Sequence, residues 1–158
     1  MISRIYAVGE LKTYKYVVVL STYCGKLMLS RHKQRITWET QGGHVEPGET
    51  PLEAAKRELY EESGALRYEI RALCDYWAGD ENTGEGATGM VFHAEIHELG
   101  AMPESEMAEV CLFDGLPEKL TYPAITPELY AYLMKGKTNE YLASDGQSKV
   151  AGKYGRVV

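Results

Sequence analysis

Residues 43–65 read GHVEPGETPLEAAKRELYEESGA, and this stretch fixes one helix together with the loop that leads into it. Thr50-Pro51-Leu52-Glu53 combines an N-cap hydroxyl, a proline at the first helical position and a glutamate placed to complete a capping box, so a helix starts here. Gly64 tolerates positive φ and ends it, which predicts about thirteen helical residues from Pro51 to Ser63. Leu52, Ala55 and Leu59 recur on one face and can bury against a sheet. Glu58, Glu61 and Glu62 stand at i, i+3 and i+4 and share another.

Carboxylates crowded on one helix face raise one another's pKa unless a cation relieves them. Oxygen donors suit Mg²⁺, with Mn²⁺ as a substitute, rather than zinc, and Mg²⁺ takes one or two carboxylates, several waters and phosphate oxygens. Ahead of the helix, Gly42-Gly43 and Pro47-Gly48 allow tight turns and close approach of backbone to a metal or a phosphate.

The set Gly43, Glu49, Arg57-Glu58-Leu59, Glu61-Glu62 and Gly64, followed by the small apolar Ala65, resembles the signature of the Nudix hydrolases. Members of that family cleave a nucleoside diphosphate linked to another group. The resemblance implies that the carbonyl of Gly42 joins a metal shell, that Glu58 and Glu62 are the main ligands, and that Glu61 supports them. It also implies that Arg57 pairs with Glu49 and holds loop and helix together. Two positions depart from the family pattern. Thr40-Gln41 stands where an apolar or aromatic residue and a proline are common, and Ala65 is smaller than the usual aliphatic.

The rest of the chain suits one compact enzyme domain. Its 158 residues fall in the single-domain range, and 44% hydrophobic with 25% charged residues is ordinary for a globular protein. No apolar run is long enough to span a membrane and no signal-peptide pattern opens the chain, so a cytoplasmic location is expected. Cys24, Cys74 and Cys111 have no metal spacing and are expected as reduced, mostly buried thiols. None of the 4 histidines sits in a triad-like or zinc-like motif. His44 is expected as an exposed turn residue. A net charge of −6 argues against an extended nucleic-acid surface. An anionic substrate then needs a local reversal of the field, from bound metal and from Arg31-His32-Lys33-Gln34-Arg35. Arg31 is the first choice to meet substrate, ahead of Arg35, with Gly43 offering backbone.

Tyr14–Leu20 and Lys26–Ser30 form a predicted hairpin around a Tyr-Cys-Gly turn. Trp38–Gln41 leads into the glycine loop. Tyr68–Trp77, Gly89–Ile96 and Val110–Phe113 are further predicted strands, with a polar link over 79–88. Pro127–Met134, capped by Thr126, is a second predicted helix. This order fits an α+β fold, an α/β/α sandwich around a mixed sheet, which is also what the resemblance implies. The domain is expected over 1–136. Residues 137–158 form an extension in which Asp145-Gly146 is a hairpin signal; an added ribbon, a homodimer arm and a loose end all stay open.

A second group of carboxylates, Glu104, Glu106 and Glu109, precedes the last strand. By the resemblance one of them binds metal or serves as base, and Glu106 fits the spacing best; Glu109 and the helix glutamates stay open as alternatives. The expected reaction is attack by water on a phosphoric anhydride, with metal ions stabilising the leaving phosphate. Asp80-Glu81-Asn82-Thr83 stands where ADP-ribose and dinucleotide relatives carry side motifs. The expected substrate is therefore a nucleoside triphosphate, including oxidised forms such as 8-oxo-dGTP, as in the MutT-like branch. Hydrolysis of ADP-ribose, a nucleotide-sugar, a dinucleotide or a capped RNA end is the alternative, and a non-catalytic nucleotide sensor is a third. Tyr6, Tyr76, Trp77 and Tyr122 are candidates to stack on a base.

Overall fold

A computed structural model describes residues 1–136 and 142–143. Its elements are β1 (Ile2–Tyr6), β2 (Tyr16–Tyr23), β3 (Lys26–His32), β4 (Gln41–His44), α1 (Pro51–Ser63), β5 (Ala65–Gly79), β6 (Gly86–Leu99), β7 (Met107–Phe113), α2 (Thr126–Met134) and β8 (Leu142–Ala143). The sheet runs β1-β5-β6-β2-β3-β7, with β4 also on β2 and β8 also on β5. β2 and β6 are parallel and the other strand pairs antiparallel, so the sheet is mixed as expected.

β2 shapes the cleft because two strands share one of its edges. Tyr16–Val19 pairs with β4 and Ser21–Tyr23 with β3, so the chain diverges between those partners. Side-chain alternation along β2 serves both faces. Val17 and Val19 join the core under α1 with Ala54, Ala55 and Leu59. Leu20 joins the opposite core, where Leu129 and Leu133 of α2 meet Leu73, Cys74, Tyr76 and Val91.

β5 supplies both cores by a bulge. Ala72 pairs with Phe92 and Cys74 with Val91, so one extra residue, Leu73, enters the strand. A one-residue shift reverses which side chains face which way. Hence Tyr68 and Ile70 face α1, whereas Cys74 and Tyr76, at the same parity, face α2.

Helix α1 has the expected bounds, a complete capping box at Thr50 and Glu53, and Gly64 at φ 81. Helix α2 differs at its start. Thr126 lies inside the helix and the N-cap is Ile125, with no side-chain cap bond. The entry is fixed by backbone instead, the amides of Ile125 and Thr126 both donating to Tyr122 O. β1 was not expected; its ISRIY sequence has weak alternation, and its place comes from pairing with Asp75–Gly79. The predicted link over 79–88 shrinks to a six-residue turn as β5 and β6 extend into it. The glycine loop begins later than predicted, since Gly42 and Gly43 are strand residues paired with Val18 and Val17.

The Tyr-Cys-Gly turn is present, with Cys24 and Gly25 both at positive φ as a two-residue hairpin turn prefers. It leaves Cys24 exposed. With Cys111 half-buried and only Cys74 buried, the expectation of mostly buried thiols is corrected. Among the described residues, no helix is long and apolar enough to cross a membrane. The Asp145-Gly146 hairpin signal lies outside the described residues.

Candidate active site

Helix α1 and strand β4 bring the acidic residues together. Arg57 is the hub. Its Nε and Nη2 donate to both oxygens of Glu49 at 2.6 and 2.9 Å. Nη1 donates to Glu58 at 2.8 Å and Glu61 at 2.9 Å, and Nη2 also donates to the carbonyl of His44 at 3.1 Å. One guanidinium thus ties the loop, the end of β4 and two helix carboxylates into a single unit, using the bidentate geometry that arginine offers. These contacts hold the Glu49 carboxyl down at about 2, the Arg57 hydrogen bond being the largest cause. The same partners raise the Arg57 pKa.

Glu62 points the other way, into the cleft. It is nearly buried and accepts the amide of Gly42 at 2.7 Å. Burial pushes its carboxyl up to about 8, against the lowering effect of that amide; the charges of Glu58, Glu39 and Glu106 add to the rise. Burial also raises Glu58, partly offset by Arg57. Both glycines of β4 sit at close approach, Gly42 to backbone and Gly43 to a side chain. A Cβ on Gly43 would lie 2.6 Å from Glu58 Oε1, and one on Gly42, at φ 155, would strike the carbonyl of Val17. Gly43 therefore leaves room for a carboxylate against bare backbone.

The donors fit a hard divalent ion. Burial raises both Glu58 and Glu62, and a cation beside the Gly42–Gly43 backbone would relieve the cost of their charge. Glu58, Glu62 and the Gly42 backbone are the residues that would hold such an ion. Glu61 is drawn onto Arg57 instead, at 2.9 Å.

The departure at Gln41 has a structural reason. Gln41 is fully buried. Its Oε1 accepts Ser21 Oγ at 2.6 Å and its Nε2 donates to Ser30 Oγ at 2.9 Å, while Ser30 Oγ donates to the carbonyl of Glu62 at 2.9 Å. A polar network thus joins β2, β3, β4 and the last turn of α1. Ala65 is buried in the core under α1.

A cleft of about 830 Å³ opens over these groups, lined among others by Gly42, Gly43, Glu62, Arg35, Glu106 and Tyr122. Arg35 lies in it, paired with Glu39 at 3.2 Å. Arg31 is not among the lining residues; it is held by Glu109 at 3.0 Å and by the carbonyl of Arg35. Glu104 is drawn off by Lys33. Glu106 is the member of its group that faces the cleft, with His32 Nε2 at 3.9 Å. Tyr122 and Tyr76 line the cleft. Trp77 lies beneath Arg4 instead. His44 ends β4 rather than a turn, and its ring rests on Tyr16 at 4.6 Å.

Sequence reasoning missed Glu39, a buried carboxylate on the cleft wall. Its spacing of four from Arg35 was the available signal.

A family model described as NUDIX domain matches residues 15–132. The chain belongs to the Nudix family. YtkD of Bacillus subtilis, provisionally assigned as an 8-oxo-dGTP diphosphatase, is 35% identical over 109 residues, 68% of this chain and 66% of YtkD. The RNA pyrophosphohydrolase of Photorhabdus laumondii is 36% identical over 56 residues, so the match takes in 35% of this chain and 32% of that relative. Among solved structures, the Bacillus subtilis pyrophosphohydrolase BsRppH superposes with a TM-score of 0.71 at 24% identity, covering 93% of both chains. The NUDIX domain of Shewanella oneidensis NrtR, complexed with ADP ribose, gives a TM-score of 0.63 at 15% identity, covering 78% of this chain and 87% of that one. At such identities these likenesses establish the fold.

Proposed function

We propose that the protein is a metal-dependent pyrophosphohydrolase that converts a nucleoside triphosphate, including oxidised forms such as 8-oxo-dGTP, to nucleoside monophosphate and pyrophosphate. The observation that carries this reading is the position of Glu62, buried on the cleft floor against the Gly42 amide and faced by Glu106. The likeness to YtkD supports the choice of substrate class.

A divalent ion, Mg²⁺ or Mn²⁺, would supply charge neutralisation at the phosphates and a more acidic water. The chain supplies the rest. Arg57 fixes the angle at which Glu58 is presented, through bonds made before substrate arrives. Arg35, at the cleft wall, meets the anionic phosphates. Tyr122, exposed at the rim, offers a face for a base. Glu106 accepts the proton of the attacking water, since Glu104 and Glu109 are occupied by Lys33 and Arg31. The Glu106 side chain is largely solvated. Attack at phosphorus forms one P–O bond and breaks the anhydride, the pyrophosphate leaving with the electron pair.

A second reading, removal of pyrophosphate from an RNA 5′ end, is favoured by the matches to RNA pyrophosphohydrolases. The same carboxylates would serve it.

The test is a panel of canonical and oxidised nucleoside triphosphates, ADP-ribose, dinucleotides and triphosphorylated RNA. Each is incubated with Mg²⁺ while monophosphate, pyrophosphate and orthophosphate are followed separately. Equal monophosphate and pyrophosphate from the triphosphates is expected; turnover of RNA alone moves the assignment to the second reading. With the best substrate, Glu106→Gln should lower kcat about 10² to 10⁴-fold and flatten the acidic limb of the pH profile, with Glu109→Gln mild. The reverse pattern transfers the role of base to Glu109, and mild effects in both return it to the helix.

A further inference from the structure

A second cluster of metal-type donors lies on the sheet face turned away from α1. Tyr68, Ile70, Ala94 and Ile96 belong to the core under α1, so by alternation Glu69, Glu95 and His97 project from the other face. Glu69 and Glu95 are direct cross-strand partners on β5 and β6. One ligand atom from each of Glu69, Glu95 and His97 lies within 4.8 Å of the others.

The second observation is an orphaned atom. Glu69 is 5% exposed. Its Oε1 is 2.6 Å from His97 Nε2, but its Oε2 is buried and has no hydrogen-bond partner among the described residues. Leaving a buried acceptor unmatched is costly, more so for a charged group, so a carboxylate oxygen in this state calls for an explanation. A cation supplies one.

The donor chemistry separates this cluster from the α1 carboxylates. One imidazole with two carboxylates suits a borderline ion such as Zn²⁺, whereas the all-oxygen set around Glu62 suits Mg²⁺. We propose that Glu69, Glu95 and His97 form a second divalent-cation site of the zinc class, distinct from the catalytic cleft. The neutral imidazole would meet the ion through the Nε2 lone pair, with the ring hydrogen on Nδ1. The ligands come from adjacent strands, so the ion clips β5 to β6 beside the point where β8 joins at Glu69. Arg71, two residues along the same face of β5, is the competing counter-charge, and in that alternative the cluster is an internal ion network without metal.

The test uses the full chain, stripped of metal and held in excess Mg²⁺ to fill the oxygen site. It is titrated with Zn²⁺ by calorimetry and with Co²⁺ by visible absorption. One equivalent of Zn²⁺ should bind, with a rise in Tm. His97→Asn, a change at a partly exposed side chain, should weaken binding at least about tenfold. Glu95→Gln should do the same, and both variants should keep the native circular dichroism spectrum and turnover. Glu62→Gln should leave Zn²⁺ affinity intact. Absence of Zn²⁺ binding, or binding that survives both His97→Asn and Glu95→Gln, overturns the site.

Discussion

Helices α1 and α2 cover opposite faces of one sheet and are secured by different means. Directional bonds hold α1 at both ends: the reciprocal Thr50–Glu53 capping pair, the Gly64 cap, and Ser30 Oγ on the carbonyl of Glu62. Arg57 ties its middle to the preceding loop. Helix α2 has no side-chain cap and is anchored by Leu129 and Leu133 in an apolar core. Non-directional burial suffices for a helix that covers a core. Under the proposed function α1 presents carboxylates to a phosphate and needs its rotation and height fixed, because small displacements of reacting groups cost large factors in rate.

The contrast can be broken by substitutions ranked by their effect on turnover. Glu62→Gln should lower kcat at least about a hundredfold at saturating Mg²⁺ while the melting temperature of the metal-free protein holds at neutral pH, since a carboxyl pushed up to about 8 is already mostly protonated there. Steady-state kinetics and calorimetric melting check both parts. Arg57→Ala should lower turnover about 10 to 100-fold and stability by about 1.5–3 kcal/mol, read from kinetics and urea denaturation. Its acid behaviour sharpens the point. Glu49 has a folded pKa of about 2 against an ordinary 4.5. Its contribution is therefore complete above the unfolded value and is lost as pH falls from about 4.5 toward about 2. In Arg57→Ala the Glu49 part of the acid loss should shrink, because the depressed pKa has lost its main cause. At the small end, Leu129→Ala should cost about 2–5 kcal/mol of stability yet leave kcat of the folded protein nearly unchanged. A large fall in kcat there would show that α2 also positions the site.

How far the sequence carries the structure also differs between the two helices. The bounds of α1 were legible because its signals are local: Thr50, Pro51, Glu53 and Gly64 each act within one turn. The Arg57–Glu49 clamp was legible only through the family resemblance. At α2 a threonine before a proline gave the wrong cap, because the backbone turn at Tyr122 set the entry instead. The bulge at Leu73 and the edge strand β1 depend on partners far along the chain, so no short window holds them. In the cleft, spacing ranked Glu106 ahead of Glu109. It did not reveal that Arg31 is engaged by Glu109 and leaves Arg35 at the cleft wall. His97 carried no motif, since its partners lie on two strands paired only by the fold.

The central claim is that the carboxylates of α1, held against β4, bind a divalent ion in the cleft. Mn²⁺ binding, followed by the loss of its free-ion paramagnetic resonance signal, tests this without reference to turnover. The titration is made on the His97→Asn protein with Glu62 intact and with Glu62→Gln, so that the outer-face cluster does not contribute. The account predicts saturable Mn²⁺ binding when Glu62 is present and at least about a tenfold loss of affinity in Glu62→Gln. Equal affinity in the two proteins would contradict it.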